Sequence, residues 1–360
     1  MSTRNCLLTA AVAAIMMLSA ARGADLTEGM QKGTPDVKSA GPITFAPESI
    51  LLLGDPQGAA VFAIPTGDTS AGSLSASLSI EKIDEKIAAL LGTTPKGILI
   101  NDLAVNPATG STFFSVSRGT GPDAAPVIVR LDSSGKLGEF SLQNVKFSKA
   151  EIPNPPTDGR SRQEVTTDLQ FAGGQVIVAG LSNEEFASKL RVLDFPFKKA
   201  ESGTSVEIFH GSHGKLETRS PVRTLAVFDI AGQPNVLAAY TCTPLVRFPL
   251  SDLKPGNKIK GTTVAELGNR NRPLDMIVYQ RNGKDYLLMA NSSRGVMKIG
   301  VDNIDKTDGI TDRIRDTAGL AYDTIKDLKG VTQLDKLDDG HALILVQTES
   351  GMNLKAVALP

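Results

Sequence analysis

Residues 103–116 read LAVNPATGSTFFSV. An apolar strand runs into Asn106-Pro107, turns at Thr109-Gly110, and leaves on a second, more apolar strand. Pro lacks a backbone donor and ends the first strand, and Gly supplies the turn conformation, so the segment predicts a β-hairpin. Residues 127–131 (VIVRL) add a third strand.

The same unit recurs along the chain. Its three strands fall at 43–47, 50–55 and 60–64, and again at 169–171, 175–179 and 190–194. Further copies fall at 225–229, 235–240 and 245–249, and at 276–279, 286–291 and 296–299. The last copy has strands at 334–337, 342–346 and 354–359. Turn residues punctuate them, as in Gly173-Gly174, Asn282-Gly283 and Asp338-Asp339-Gly340. Fourth strands are predicted at 137–142 and 262–267. A four-stranded unit repeated radially predicts an all-β fold, a β-propeller of six blades, or seven if two copies were merged. Residues 25–39 are expected to complete the last blade, whose copy stops at three strands.

Composition agrees with a globular chain. Its 360 residues hold 38 Lys and Arg against 39 Asp and Glu, which excludes a polybasic nucleic-acid binder. The absence of Trp removes one platform for stacking sugars or bases. Residues 1–23 carry Arg4, an apolar run at 7–18 and a small-residue end, the order of an export signal. That run is short for a bilayer span, so residues 24–360 are expected as a single secreted or periplasmic propeller domain with no membrane span after cleavage. The one cysteine left after cleavage, Cys242, cannot form an internal disulfide, and its strand-like surroundings predict burial.

Residues 103–114 and 290–299 (ANSSRGVMKI) resemble blade segments of the NHL/YVTN and SMP-30-like propeller groups. The resemblance covers single blades. It supports the fold and says little about activity, because this fold hosts many functions.

Aligning the predicted inner strands puts Pro42, Asp102, Asp168, Thr224, Asp275 and Gln333 in one register. Inner strands converge on a central channel, so Asp102, Asp168 and Asp275, helped by the side-chain oxygens of Asn101 or Asn271, form a candidate site for calcium. SMP-30-like propellers hold a metal near the axis, and the resemblance implies a metal-dependent lactonase or esterase layout here. The competing reading makes each Asp a turn cap. Arg160, Arg162, Arg219, Arg223, Arg270 and Arg272 lie in the connections that enter inner strands. Arg223 and Arg272, with Asn271, are candidates for a small anionic ligand, while pairing with acids is their alternative use. Insertions at 73–97, with a helix expected over 80–91, at 150–163 and at 301–328, partly helical, are expected to decorate one face. His210 and His213, flanked by Gly211 and Gly214, read as a hairpin tip that two imidazoles could turn into a metal site, although no Cys or carboxylate adjoins them in sequence. His341, after Asp339-Gly340, reads as surface.

No complete catalytic constellation is visible. A module binding a protein or a small anionic ligand is therefore the first reading, and the metal-dependent hydrolase the second.

Overall fold

The computed structural model describes residues 25–69, 72, 74–198, 202–242 and 244–360. The expected export signal at residues 1–23 lies outside them. Among the described residues, no helix is long and apolar enough to cross a membrane.

The chain folds into six sheets arranged as a β-propeller, which decides between six and seven blades. Blades are numbered by the chain order of their inner strands: Ile43–Ala46, Ile98–Val105, Asp168–Ala172, Val222–Ile230, Pro273–Arg281 and Val331–Lys336. In every blade the second and third strands follow by antiparallel hairpins, at the positions that the repeat predicts. Middle strands are buried over most of their length and are rich in apolar residues; Ile50–Asp55 is buried throughout.

Two features depart from the expected layout. The first is ring order. Ile43–Ala46 packs between Ile98–Val105 and Asp168–Ala172, while Ile98–Val105 also touches Val331–Lys336. Around the ring the blades therefore run 2, 1, 3, 4, 5, 6. After blade 2 the chain returns across blade 1, where Val145–Glu151 pairs with the third strand, Ala60–Pro65. The second is closure. Gln31–Gly33 pairs with Val145–Glu151 at the rim of blade 1, so residues 25–39 do not complete blade 6. The two-residue strand Ser79–Ile80 does so, pairing with Leu354 and Lys355. Leaving blade 1, the chain first reaches blade 6, and only then builds blade 2 between them.

This route explains the first insertion. The helix Ile83–Leu90 ends before Gly92, whose φ of 67° suits glycine. Ile83 and Ile87 are fully buried among Leu103, Phe114 and Val129 of blade 2 and Leu343, Leu345 and Leu354 of blade 6. Each such burial contributes roughly 1.5–3 kcal/mol. The helix is a wedge between two blades, rather than a decoration of a functional face. The 301–328 insertion is mostly turn and loop around two short strands, of which Thr317–Gly319 extends blade 4 and Tyr322–Ile325 completes blade 5, with a single short turn of 3-10 helix at Ile304–Lys306.

Candidate functional site

An inner strand has a sheet partner on one side only, so amides on its other edge need acceptors. Four inner strands also carry an irregularity near their start, where one extra residue bulges: Asn101, Arg223, Leu274 and Thr332. A bulge re-aims side chains at the end of a strand. All four residues line one cavity of about 480 Å³ at this mouth of the channel.

The six residues of the predicted register, Pro42, Asp102, Asp168, Thr224, Asp275 and Gln333, line the same cavity. Arg160, Glu164, Arg223 and Arg272 complete its rim. Asn271 is not part of the lining. It is buried, its Nδ2 donates to Asn291 Oδ1 at 2.9 Å, and its Oδ1 accepts from the Ser293 amide at 3.2 Å, so it fixes a loop.

The swapped ring order gives the three carboxylates a regular placement. Blades 2, 3 and 5 alternate around the ring with blades 1, 4 and 6, so Asp102, Asp168 and Asp275 are set with near-threefold symmetry. Each uses its two oxygens alike. One accepts from the next residue of its own strand: Leu103 at 2.8 Å, Leu169 at 2.7 Å and Met276 at 2.7 Å. The other accepts from the inner strand of the adjacent blade: Ile43 at 2.8 Å, Leu225 at 2.6 Å and Leu334 at 2.8 Å. Nearer the opposite mouth Asp335 does the same, taking the amides of Val105 and Lys336, both at 2.7 Å. These contacts run 2 to 1, 3 to 4, 5 to 6 and 6 to 2, all in one sense around the ring. The Asp residues thus cap their own strand, as the competing reading has it, and also latch blade to blade.

Burial is the main electrostatic force on them. It lifts Asp102 and Asp275 well above the usual carboxylate range, and the neighbouring charge of Asp275 on Asp102, and of Asp168 on Asp275, adds to this. Burial raises Asp168 and Asp335 to about 6, against the pull of the amides that they accept. The acidic ring therefore loses much of its negative charge in mildly acidic conditions.

Arginines at the rim have different fates. Arg223 pairs with Glu164 through Nη1 at 2.7 Å, and its Nε donates to Thr241 Oγ1 at 3.0 Å. Arg162 donates to the Gln57 carbonyl from Nε and Nη2, at 3.0 and 2.6 Å, and anchors the 150–163 loop. The guanidinium groups of Arg160 and Arg272 make no hydrogen bond or ion pair among the described residues, although both line the cavity. Burial and the nearby Arg223 charge lower the Arg272 pKa. Arg219 and Arg270 lie off this lining.

A second constellation escapes sequence reasoning. Cys242 is half-buried in a turn, not deep in a strand, and its sulfur lies beside the imidazoles of His210 and His213. His341 is half-buried and its Nδ1 meets Asp338 Oδ1 at 2.9 Å, within its own hairpin.

No protein-family model matches this chain, and no curated protein matches it. Solved structures do resemble it in outline. One is a Thermus thermophilus protein assigned as an oxidoreductase (glucose dehydrogenase): 15% identity over 91% of this chain and 100% of that one, with a TM-score of 0.36. Another is the PQQ-bound aldose sugar dehydrogenase of Streptomyces coelicolor: 11% identity over 91% and 97% of the two chains, TM-score 0.35. A third is a protein assigned as a gluconolactonase: 10% identity over 92% and 93%, TM-score 0.32.

Proposed function

We propose that this chain is an exported, secreted or periplasmic propeller that binds a small anionic ligand, a carboxylate or phosphate, at the Asp-ringed mouth of its channel. One observation carries the reading. Asp102, Asp168 and Asp275 have both oxygens engaged by backbone amides, while Arg272 and Arg160 line the same cavity with no partner among the described residues. Guanidinium groups recognise carboxylate and phosphate through paired, charge-assisted hydrogen bonds. In the same cavity Asp168, raised to about 6, offers little repulsion when protonated and can then donate to a ligand oxygen.

Calcium, which the SMP-30 resemblance implies, fits this donor set poorly. It needs six to eight oxygen ligands, chiefly ionised carboxylates. Here burial favours the neutral acids, an amide hydrogen bond already engages each of their oxygens, and arginines line the same cavity. The Asn101 amide nitrogen donates to Ser117 Oγ at 2.9 Å.

Calorimetric titration with citrate and with inorganic phosphate tests the proposal. Saturable binding near one equivalent, weakened by salt, is expected. Arg272→Gln should lower affinity about tenfold or more, since a hydrogen bond to a charged group contributes roughly 1.5–3 kcal/mol. No anion binding, together with one equivalent of Ca²⁺ whose stabilisation disappears in Asp168→Asn, would replace this reading with the metal-dependent lactonase or esterase.

A further inference from the structure

The outermost hairpin of blade 3 joins Thr204–His210 to Lys215–Glu217. His210 and His213 sit at its tip, with ring centroids 3.9 Å apart and planes inclined by 37°. Blade 4 brings Cys242 to them from the turn after Gln233–Tyr240. A ring nitrogen of each histidine and the Cys242 sulfur lie within 4.8 Å of one another.

The surroundings are arranged as for ligands. One carboxylate holds both rings: His210 Nδ1 meets Glu217 Oε2 at 3.1 Å, and His213 Nδ1 meets Glu217 Oε1 at 2.6 Å. Ser220 Oγ donates to Glu217 Oε2 at 2.5 Å and steadies it. A histidine that donates from Nδ1 to a carboxylate keeps its lone pair on Nε2, the arrangement that orients metal-bound imidazoles. His210 is 2% exposed, and its Nε2 is buried with no hydrogen-bond partner. A buried ring nitrogen without a partner is costly unless something occupies its lone pair. Cys242 is held in place by its amide, which donates to the Asn271 carbonyl at 2.8 Å, with the backbone in the left-handed region at φ 63°.

We propose that His210, His213 and Cys242 bind a thiophilic divalent transition-metal ion of the zinc type, joining blade 3 to blade 4. Two imidazole nitrogens and a thiolate are borderline-to-soft donors, which suit zinc and not calcium or magnesium. Three protein ligands leave a fourth position for water, and the site opens to solvent on the side of His213, whose side chain is 48% exposed. Bonds of roughly 2.0–2.3 Å to the ion require the three donors to draw together, and the exposed His213 ring can supply that movement by turning about its Glu217 hydrogen bond. The Cys242 thiol gives up its proton to solvent as the metal–sulfur bond forms.

The test is titration of the reduced full-length protein with Co²⁺, followed by Zn²⁺ competition. Expected are one equivalent of Co²⁺, a thiolate-to-cobalt charge-transfer band, and displacement by Zn²⁺. Cys242→Ser should abolish the band, His213→Ala should weaken binding, and Glu217→Gln should weaken it by about 10–100-fold. Circular dichroism of the exposed His213→Ala variant controls for folding. Absence of the band at one equivalent would overturn the proposal. So would Cys242→Ser and His213→Ala proteins that bind Co²⁺ as the parent does.

Discussion

Replacing Asp168 by Asn tests whether the channel carboxylates latch the ring. Burial lifts Asp168 from 3.8 to about 6, against the amides of Leu225 and Leu169. At 1.36 kcal/mol for each pK unit this interval corresponds to at most ~3 kcal/mol, reduced to ~1–2 kcal/mol because the group still faces a solvated channel. The folded value is raised, so between about pH 4 and 6 the folded protein holds a proton that the unfolded chain has released. The stabilisation is complete below that window and is lost as pH rises through it. Asn does not titrate, and its amide nitrogen cannot accept from Leu225 or Leu169. One buried amide is left unpaired, at a cost of about 1–3 kcal/mol. Urea unfolding at pH 4.5 and 7.5 measures both effects. The variant should be less stable by about 2 kcal/mol at pH 4.5, and the gap should narrow by ~1–2 kcal/mol at pH 7.5. A gap that widens or stays constant with pH would refute the burial argument. A variant as stable as the parent at pH 4.5 would refute the latch.

Other perturbations give separate tests. Arg130 Nη2 meets Asp68 Oδ1 at 2.6 Å, and Asp68 is 4% exposed, so Arg130→Gln removes the counter-charge of a buried carboxylate and leaves it to the neutral donors Thr109 Oγ1 and Asn106 Nδ2. Urea unfolding should show a loss of about 2 kcal/mol, less than for a fully buried pair because Arg130 itself is partly solvated. Ile80 and Leu354 are directly paired across the closing strand, within the ~4.5–5.5 Å Cα separation of antiparallel partners. Ile80→Cys with Leu354→Cys, in a Cys242→Ser background, should oxidise to an internal disulfide seen by peptide mass. Two free thiols under oxidising conditions would contradict the proposed closure of blade 6.

Local patterns carried most of the fold. Middle strands such as Ile50–Asp55 and Gln175–Leu181 are buried and apolar, and Gly, Asn and Asp bound them, so they are legible without a partner. Inner-strand register was equally legible, which is why Asp102, Asp168 and Asp275 line one cavity. Ring order was not. Ser79–Ile80 is too short to have a period, and Val145–Glu151 carries no local sign of which blade it will join. The type of an acidic residue shows that it can accept, not what donates to it, so the latching amides of Ile43, Leu225 and Leu334 had to be seen in three dimensions. Cys242 misled for a related reason. The run 236–240 is a strand, but the chain turns immediately after Tyr240 and carries the sulfur out to the histidines.

The exchanged positions of blades 1 and 2 bear on how this chain can be made. Synthesis runs from the N-terminus, and a ring in chain order could grow one blade at a time. Here blade 1 cannot gain its fourth strand until residue 151 has emerged, after the whole of blade 2. Ser79–Ile80 must wait for Leu354 and Lys355, near the last residue made. Contacts of such sequence separation form late, because a long loop must close before they contribute. Blades 1 and 2 thus have their own strands only once residue 151 is made, and the Ser79–Ile80 edge stays unpaired until the end. The ring itself closes only when its final strand arrives to cover that edge.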